Sequence, residues 1–155
     1  MANSISRRTL LAQGSLALLG TLGLARPLAA RGRKTPMVVY KDPGCGCCEQ
    51  WVAIMQREGF VVSARNTSDM EPIKRRYHVG PSLASCHTAL VEGYVIEGHV
   101  PADLIQKLLR DKPKVLGLAV PGMVTGSPGM EGPNPQHYQV LSFDAAGKTA
   151  VYARR

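Results

Sequence analysis

Aromatic and acidic residues are scarce in this 155-residue sequence, which has one Trp, two Phe, five Tyr and 11 acidic residues against 19 Lys and Arg. The formal net charge is +8, but the basic residues are scattered and form no long block. Nucleic-acid-binding surfaces combine clustered basic residues with aromatic side chains that stack on bases. The composition therefore argues against a nucleic-acid partner, and a hydrophobic content of 45% is typical of a globular domain with a core.

A long hydrophobic run is also missing from the N-terminal segment, where Arg7 and Arg8 precede an uncharged stretch over residues 10–25. That stretch is too short and too rich in Gly, Ser and Thr for a confident membrane span. We predict a signal peptide over residues 1–30, with an uncleaved N-terminal anchor as the alternative. The paired arginines resemble a twin-arginine signal, although ordinary secretory leaders also carry paired basic residues.

Export would leave one domain, residues 31–155, in the periplasm without a stable membrane span. Residues 1–30 hold three of the 19 basic residues and none of the 11 acidic ones, so the remainder carries 16 against 11, a net charge of +5. Disulfides persist in such a compartment, so the four cysteines can be paired, free or bound to metal.

Hydrophobic periodicity predicts the element order β-α-β-α-β-β-α followed by a C-terminal β-hairpin. The strands are expected at residues 37–40, 60–62, 88–91, 94–96, 138–143 and 149–152. The helices are expected after residue 45 with Cys48, Trp51, Val52 and Met55 on the buried face, from Asp69 to Tyr77, and from Pro101 through Leu109. Residues 112–135 are rich in Gly and Pro and are predicted to form a loop. The order is that of an α/β fold with a thioredoxin-like central sheet, flanking helices and an added C-terminal β-hairpin.

Three of the four cysteines lie in the segment Cys45-Gly46-Cys47-Cys48, between the first predicted strand and the first helix. A Cys-x-x-Cys pair, here Cys45 and Cys48, is redox-active at a helix N-terminus because the helix dipole stabilises the thiolate. Thiolates placed close together also bind Cu(I), which prefers sulfur ligands. A dithiol oxidoreductase needs two sulfurs, so the additional Cys47 favours a metal site.

Cys86 is the fourth cysteine, and a thioredoxin-like fold would bring its loop to the N-terminus of the first helix, where it could complete a four-sulfur site. Two alternatives stay open. The chain could be a thiol-disulfide oxidoreductase acting on client proteins, or an interaction domain stapled by structural disulfides, one of them to Cys86. Catalytic turnover by such an oxidoreductase would rest on Cys45 and Cys48.

These cysteines lie within motifs that resemble the CopG-type family, periplasmic proteins linked to copper resistance and long catalogued as a domain of unknown function. The resemblance covers about residues 37–132. The matching motifs are Asp42-Pro43-Gly44-Cys45-Gly46-Cys47-Cys48, Ser85-Cys86-His87-Thr88-Ala89, Gly93 through Pro101, Pro121-Gly122-Met123 and Gly126 through Glu131. One departure is Val124, where the family commonly has Pro.

The resemblance implies a thioredoxin-like fold and a copper(I) site formed by Cys45, Cys47, Cys48 and Cys86. It also implies that copper binding is coupled to thiol oxidation, for which the Cys-x-x-Cys spacing makes Cys45 and Cys48 the candidate redox pair. Because adjacent cysteines fit a regular single-ion tetrahedron poorly, we expect more than one copper ion with bridging sulfurs. Copper ions and other periplasmic copper-handling proteins are the expected partners.

Further residues near these motifs carry soft or titratable side chains. Met123 and Met130 lie in the predicted Gly/Pro-rich loop, and thioethers are soft copper ligands, so Met123 is included as a candidate ligand. His87 is expected to point to the opposite side of its strand from Cys86, since side chains alternate. His99 is expected to cap the following helix or to bond with Glu97 rather than to ligate metal. Lys74, Arg75 and Arg76 are expected to form a solvated face.

Overall fold

The computed structural model describes residues 34–155, so the predicted signal peptide over residues 1–30 lies outside the described part of the chain. The strands are β1 (Thr35–Lys41), β2 (Phe60–Asn66), β3 (His87–Val91), β4 (Tyr94–Glu97), β5 (Gly117–Ala119), β6 (Gln139–Phe143) and β7 (Thr149–Arg154). The helices are α1 (Gly46–Arg57), α2 (Glu71–Arg76) and α3 (Ala102–Asp111), and a 3₁₀ turn lies at Pro81–Leu83. Among these helices, none has the length and apolarity to cross a membrane.

The strands form one seven-stranded sheet in the order β2-β1-β3-β4-β5-β6-β7. β1 is parallel to β2 and antiparallel to β3, and β3 is antiparallel to β4. This arrangement of the first four strands, with helices in the connections, confirms the predicted thioredoxin-like core. The C-terminal hairpin of β6 and β7 is confirmed as well, and it extends the same sheet.

The predicted loop over residues 112–135 contains one strand that sequence reasoning missed. β5 is three residues long, pairs in parallel with β4 and in antiparallel with β6, and so joins the C-terminal hairpin to the main sheet. Its first residue, Gly117, lies so close to β4 that an added Cβ would stand 1.9 Å from the Val95 carbonyl oxygen. Three residues that include a glycine produce too little periodicity to predict a strand.

The hydrophobic core lies between the sheet and the helices, and it contains the predicted buried face of α1. Cys48, Trp51, Val52 and Met55 are all buried. The Trp51 indole Nε1 donates a hydrogen bond to the Val100 carbonyl oxygen at 3.0 Å, which satisfies its polar atom inside the core. This bond fixes the first turns of α1 against the segment that follows β4.

α2 differs from its prediction at Lys74, which is buried rather than part of a solvated face. Its ammonium forms an ion pair with the fully buried Glu97 on β4. Arg75 does lie on the solvated side, paired with the exposed Glu71. The prediction for the basic run is wrong at Lys74 because a short helix lying on a sheet turns one of three consecutive side chains inward. Burial of that ammonium requires the Glu97 carboxylate, which only the tertiary fold brings next to it. Met70 rather than Asp69 is the N-cap residue of α2, and Asp69, one residue earlier, accepts from the Glu71 N–H with its Oδ1 at 3.1 Å.

Candidate metal centre

The end of β1 and the start of α1 place the Cys45–Cys48 segment. The Asp42 carboxylate accepts from the Gly44 N–H at 2.7 Å, and the Asp42 carbonyl accepts from the Cys45 N–H at 3.2 Å. This turn leaves Cys45 as the extended residue that precedes α1. Buried Lys41, the last residue of β1, contacts Glu49 in the first turn of α1 at 2.5 Å. The local sequence therefore holds three cysteines at one helix N-terminus.

All four cysteines meet at this position, as predicted. Their sulfur atoms lie within 4.8 Å of one another. Cys45 and Cys48 form a disulfide, while Cys47 and Cys86 are free thiols. Cys47 Sγ lies 3.5 Å from Cys45 Sγ and 3.9 Å from Cys86 Sγ. The interaction-domain alternative predicted a structural disulfide to Cys86, but Cys86 is a free thiol. The disulfide that is present joins Cys45 with Cys48, the Cys-x-x-Cys pair that the oxidoreductase alternative requires.

Cys86 is held by the residue before it. The Ser85 N–H donates to the Glu97 carboxylate at 2.7 Å, and the Ser85 hydroxyl donates to the Gly122 carbonyl. Burial, and then the neighbouring Cys47 thiol, raise the pKa of Cys86 to about 11. The metal-free thiol is therefore protonated at neutral pH, and a metal ion that binds there must displace its proton.

His99 bonds to Cys86 and not to Glu97, which corrects the expectation from sequence. Its Nε2 lies 3.0 Å from Cys86 Sγ, and its Nδ1 lies 2.8 Å from the Pro128 carbonyl oxygen. A carbonyl can only accept, so Nδ1 carries the proton and the Nε2 lone pair points to Cys86. Burial lowers the pKa of His99, which favours this neutral form. The bond from His99 to the Pro128 carbonyl could not be predicted from the sequence. Residue 128 lies in a loop whose path depends on the tertiary fold.

The backbone next to His99 is shaped by a glycine. Gly98 has φ +68°, and an added Cβ there would lie 2.5 Å from the Ser85 hydroxyl oxygen and 2.6 Å from the Val120 carbonyl oxygen. Only glycine fits this conformation and this close approach. Gly98 thus allows the chain after β4 to turn against Ser85 and bring His99 next to Cys86.

His87 is fully buried beside these groups. Its ring lies 4.4 Å from that of Trp51 and 5.0 Å from that of His99, between centroids. Neither of its ring nitrogens has a hydrogen-bond partner among the described residues. Burial lowers the pKa of His87 well below its ordinary value. The expectation that His87 points away from Cys86 is wrong, since one ligand atom from each of Cys86, His87 and His99 falls within a 4.8 Å group.

Two comparisons with known proteins found matches. Residues 83–130 match a family described as "Protein of unknown function, DUF411". Two solved structures, "Copper resistance protein copG", forms 2 and 1, are each 40% identical to the chain with a TM-score of 0.75. Both cover 79% of this chain, which in turn covers 99% and 98% of theirs. The chain belongs to the CopG family. A search of curated protein sequences found no match.

This CopG-family chain carries its loop methionines in different settings. Met123 is 64% exposed, on a loop anchored near Cys86 by the bond from the Gly122 N–H to the Ala84 carbonyl at 3.0 Å. Met130 is half-buried and follows Gly129, which packs directly on α1. The role of Met123 as a ligand stays a prediction, while the position of its loop next to Cys86 is compatible with it.

Proposed function

We propose that the chain binds copper(I) through Cys45, Cys47, Cys48 and Cys86 and thereby sequesters copper in the periplasm. The observation that carries this proposal is the convergence of four sulfur atoms within 4.8 Å, contributed by a helix N-terminus and a distant loop. Thiolates are the donors that Cu(I) prefers, and two of these cysteines, Cys47 and Cys86, are free thiols. The related solved structures are also those of a copper resistance protein.

The cluster is suited to several ions rather than one. Cys47 and Cys48 are adjacent, so their sulfurs are poorly placed to occupy two corners of a regular tetrahedron formed with the other two. Sulfur atoms that bridge neighbouring Cu(I) ions tolerate this crowding, whereas structural zinc sites take four well-spaced ligands. Met123 would supply a thioether from the adjacent loop.

The Cys45–Cys48 disulfide gives the proposed site a redox component. Reduction by two electrons and two protons yields two thiols and completes the four-sulfur site. Conversely, the two thiols can deliver one electron each to two Cu(II) ions, which gives two Cu(I) ions, the disulfide and two released protons. Copper binding and disulfide state are then linked, because the disulfide removes two of the four thiolate ligands.

Anaerobic titration with Cu(I) against a chromophoric chelator tests the proposal on fully reduced protein. We expect wild type to bind more than one ion, and Cys47→Ser to lose stoichiometry or affinity because oxygen is a harder donor than sulfur. The fold should survive, since a Cys-to-Ser change near an exposed helix start creates little cavity, and circular dichroism checks this. Equal copper uptake by both proteins would contradict the proposal.

A second candidate function is thiol-disulfide exchange with client proteins. The specific observation in its favour is the disulfide of Cys45 with Cys48 at the N-terminus of α1, the position at which a helix dipole stabilises a thiolate. Insulin reduction by the wild type and by Cys47→Ser separates the two functions. An oxidoreductase keeps its activity in the variant, because Cys47 is outside the disulfide, whereas a copper-binding protein reduces insulin poorly in both forms.

A further inference from the structure

We propose that the chain forms a symmetric dimer, in which β2 pairs in antiparallel with β2 of a second copy and joins the two seven-stranded sheets into one. β2 and β7 are the two edge strands of the sheet. An edge strand presents a row of backbone N–H and C=O groups to which another strand can bond. The proposal does not depend on copper binding, because none of its residues belongs to the cysteine cluster.

β2 is the less protected of the two edges. Proteins block edge strands with Pro, charged side chains, bulges or a covering segment. β7 pairs with β6 through a bulge at Val140 and Leu141, and it ends at Arg154. β2 pairs with β1 over seven residues without a register shift, contains no Pro and carries one charge, that of Arg65. Among residues 34–155, no strand pairs with its outer side.

Alternate residues of β2 direct their backbone groups to the free edge. The Thr67 N–H donates to the Lys41 carbonyl of β1 at 2.9 Å, so the odd-numbered residues of β2 face β1. The residues whose backbone groups point outward are therefore the even-numbered ones, Phe60, Val62, Ala64 and Asn66. Two copies of β2 in full antiparallel overlap exchange about eight hydrogen bonds through these residues.

The side chains of β2 suit a two-fold axis through Ser63. Full overlap of residues 60–66 places Ser63 opposite its own copy, where the two hydroxyls can bond to each other. Val61 is 49% exposed, and it lies opposite Arg65 of the second copy, whose aliphatic stem would cover it. The one charge of the strand thus meets an apolar residue rather than a like charge, so self-pairing is not opposed by repulsion.

The contact extends from the strands to the helix layer. α1 packs on β2, and Gln56 lines a groove of about 310 Å³ at the free edge together with Lys34 and residues 59–62. A two-fold axis perpendicular to the sheet keeps both α1 helices on one face and places Asn66 of the second copy opposite Phe60, at this groove. The carboxamides of Gln56 and Asn66 can then bond across the junction, so the interface contains more than the paired strands.

Sedimentation equilibrium tests the dimer on metal-free protein, in a thiol reductant that prevents cross-links through Cys47 or Cys86. We expect the mass of two chains, and we expect Val61→Lys to raise the dissociation constant at least about tenfold, because the lysine meets Arg65 of the second copy. Val61→Glu should strengthen the dimer, since it presents the opposite charge to the same guanidinium. Val151→Lys is the matched control, because Val151 is 46% exposed on β7, and the dissociation constant should not change.

Ala64→Pro tests the backbone bonds. The Ala64 N–H points away from β1, so Pro removes a donor of the dimer and leaves the bonds between β1 and β2 in place. We expect a monomer with an unchanged circular dichroism spectrum, and copper uptake equal to that of wild type, so failure of the dimer and failure of the copper site are seen separately.

Three outcomes would overturn the dimer. They are a monomeric mass at every concentration at which wild type stays soluble, equal dissociation constants for Val61→Lys and Val61→Glu, and an equal loss in Val151→Lys and Val61→Lys. The Val61 variants change an exposed side chain, so they keep the test valid if Ala64→Pro does not fold.

Discussion

Replacement of Lys74 by Met should destabilise the protein strongly, although the residue lies on a short helix in a basic run. The Lys74 ammonium pairs with Glu97, whose side chain is fully buried, and it lies 3.5 Å from the Thr88 hydroxyl. Glu97 also accepts from the Thr88 hydroxyl at 2.6 Å and from the Ser85 N–H at 2.7 Å. Met preserves most of the length of the lysine stem but leaves the Glu97 carboxylate without its cation.

The expected magnitude follows from this burial. Removal of one partner of a buried ion pair costs about 3–5 kcal/mol, because a charge stays buried without compensation. Arg75→Met is the matched control on the same helix. Its partner Glu71 and Arg75 itself are each 66% exposed, and such surface pairs contribute at most about 1 kcal/mol. A domain has about 5–15 kcal/mol of stability in total, so only the Lys74 variant should lose a large fraction of it.

Urea unfolding of metal-free protein measures the difference. We expect a much lower midpoint for Lys74→Met, with an unchanged slope, and a midpoint near that of wild type for Arg75→Met. The double variant Lys74→Met/Glu97→Gln should recover part of the loss, because it removes the uncompensated charge. The reasoning is refuted if Lys74→Met and Arg75→Met have the same midpoint, or if the double variant is less stable than Lys74→Met.

Two further predictions concern the close packing at α1 and the N-terminal segment. Gly129→Ala should destabilise the protein by about 1–3 kcal/mol in urea unfolding. Gly129 has φ +82°, and an added Cβ would lie 2.8 Å from the Trp51 amide nitrogen and 2.9 Å from the Cys47 carbonyl oxygen. Gly46→Ala is its control and should be neutral or slightly stabilising, since no atom lies within 4 Å of the added Cβ; equal losses in both variants would contradict the packing argument. N-terminal sequencing of periplasmic protein should find a start near Arg31, and full-length protein confined to the cytoplasm would refute the signal peptide.

The parts of the fold that sequence predicted depend on local patterns. Strand and helix order followed from apolar periodicity, and the buried face of α1 was correct at Cys48, Trp51, Val52 and Met55. The meeting of Cys86 with the other cysteines was also predictable, because a thioredoxin-like topology places that loop against the N-terminus of α1. The spacing of residue types predicts the elements, and the order of the elements predicts which loops meet.

The parts that sequence did not predict depend on contacts between distant segments. Lys74 was assigned to a solvated face because its neighbours Arg75 and Arg76 are basic, and its partner Glu97 lies 23 residues away. His99 was expected to bond with nearby Glu97, but that carboxylate is already occupied by Lys74, Ser85 and Thr88. The unexpected burial of Lys74 against Glu97 thus leaves His99 to bond elsewhere.

The same polar network explains how the candidate centre can be ordered before a metal arrives. Glu97 holds Ser85, and Ser85 holds the Gly122 carbonyl, so the Cys86 loop and the Met123 loop are tied to the sheet. The loop continues to Pro128, whose carbonyl orients His99 toward Cys86. None of these bonds uses a cysteine of α1, and none requires the Cys45–Cys48 thiols to be reduced. We therefore expect Cys86 and His99 to keep their positions when the disulfide is reduced, so that reduction changes mainly the number of sulfur ligands that α1 presents to them.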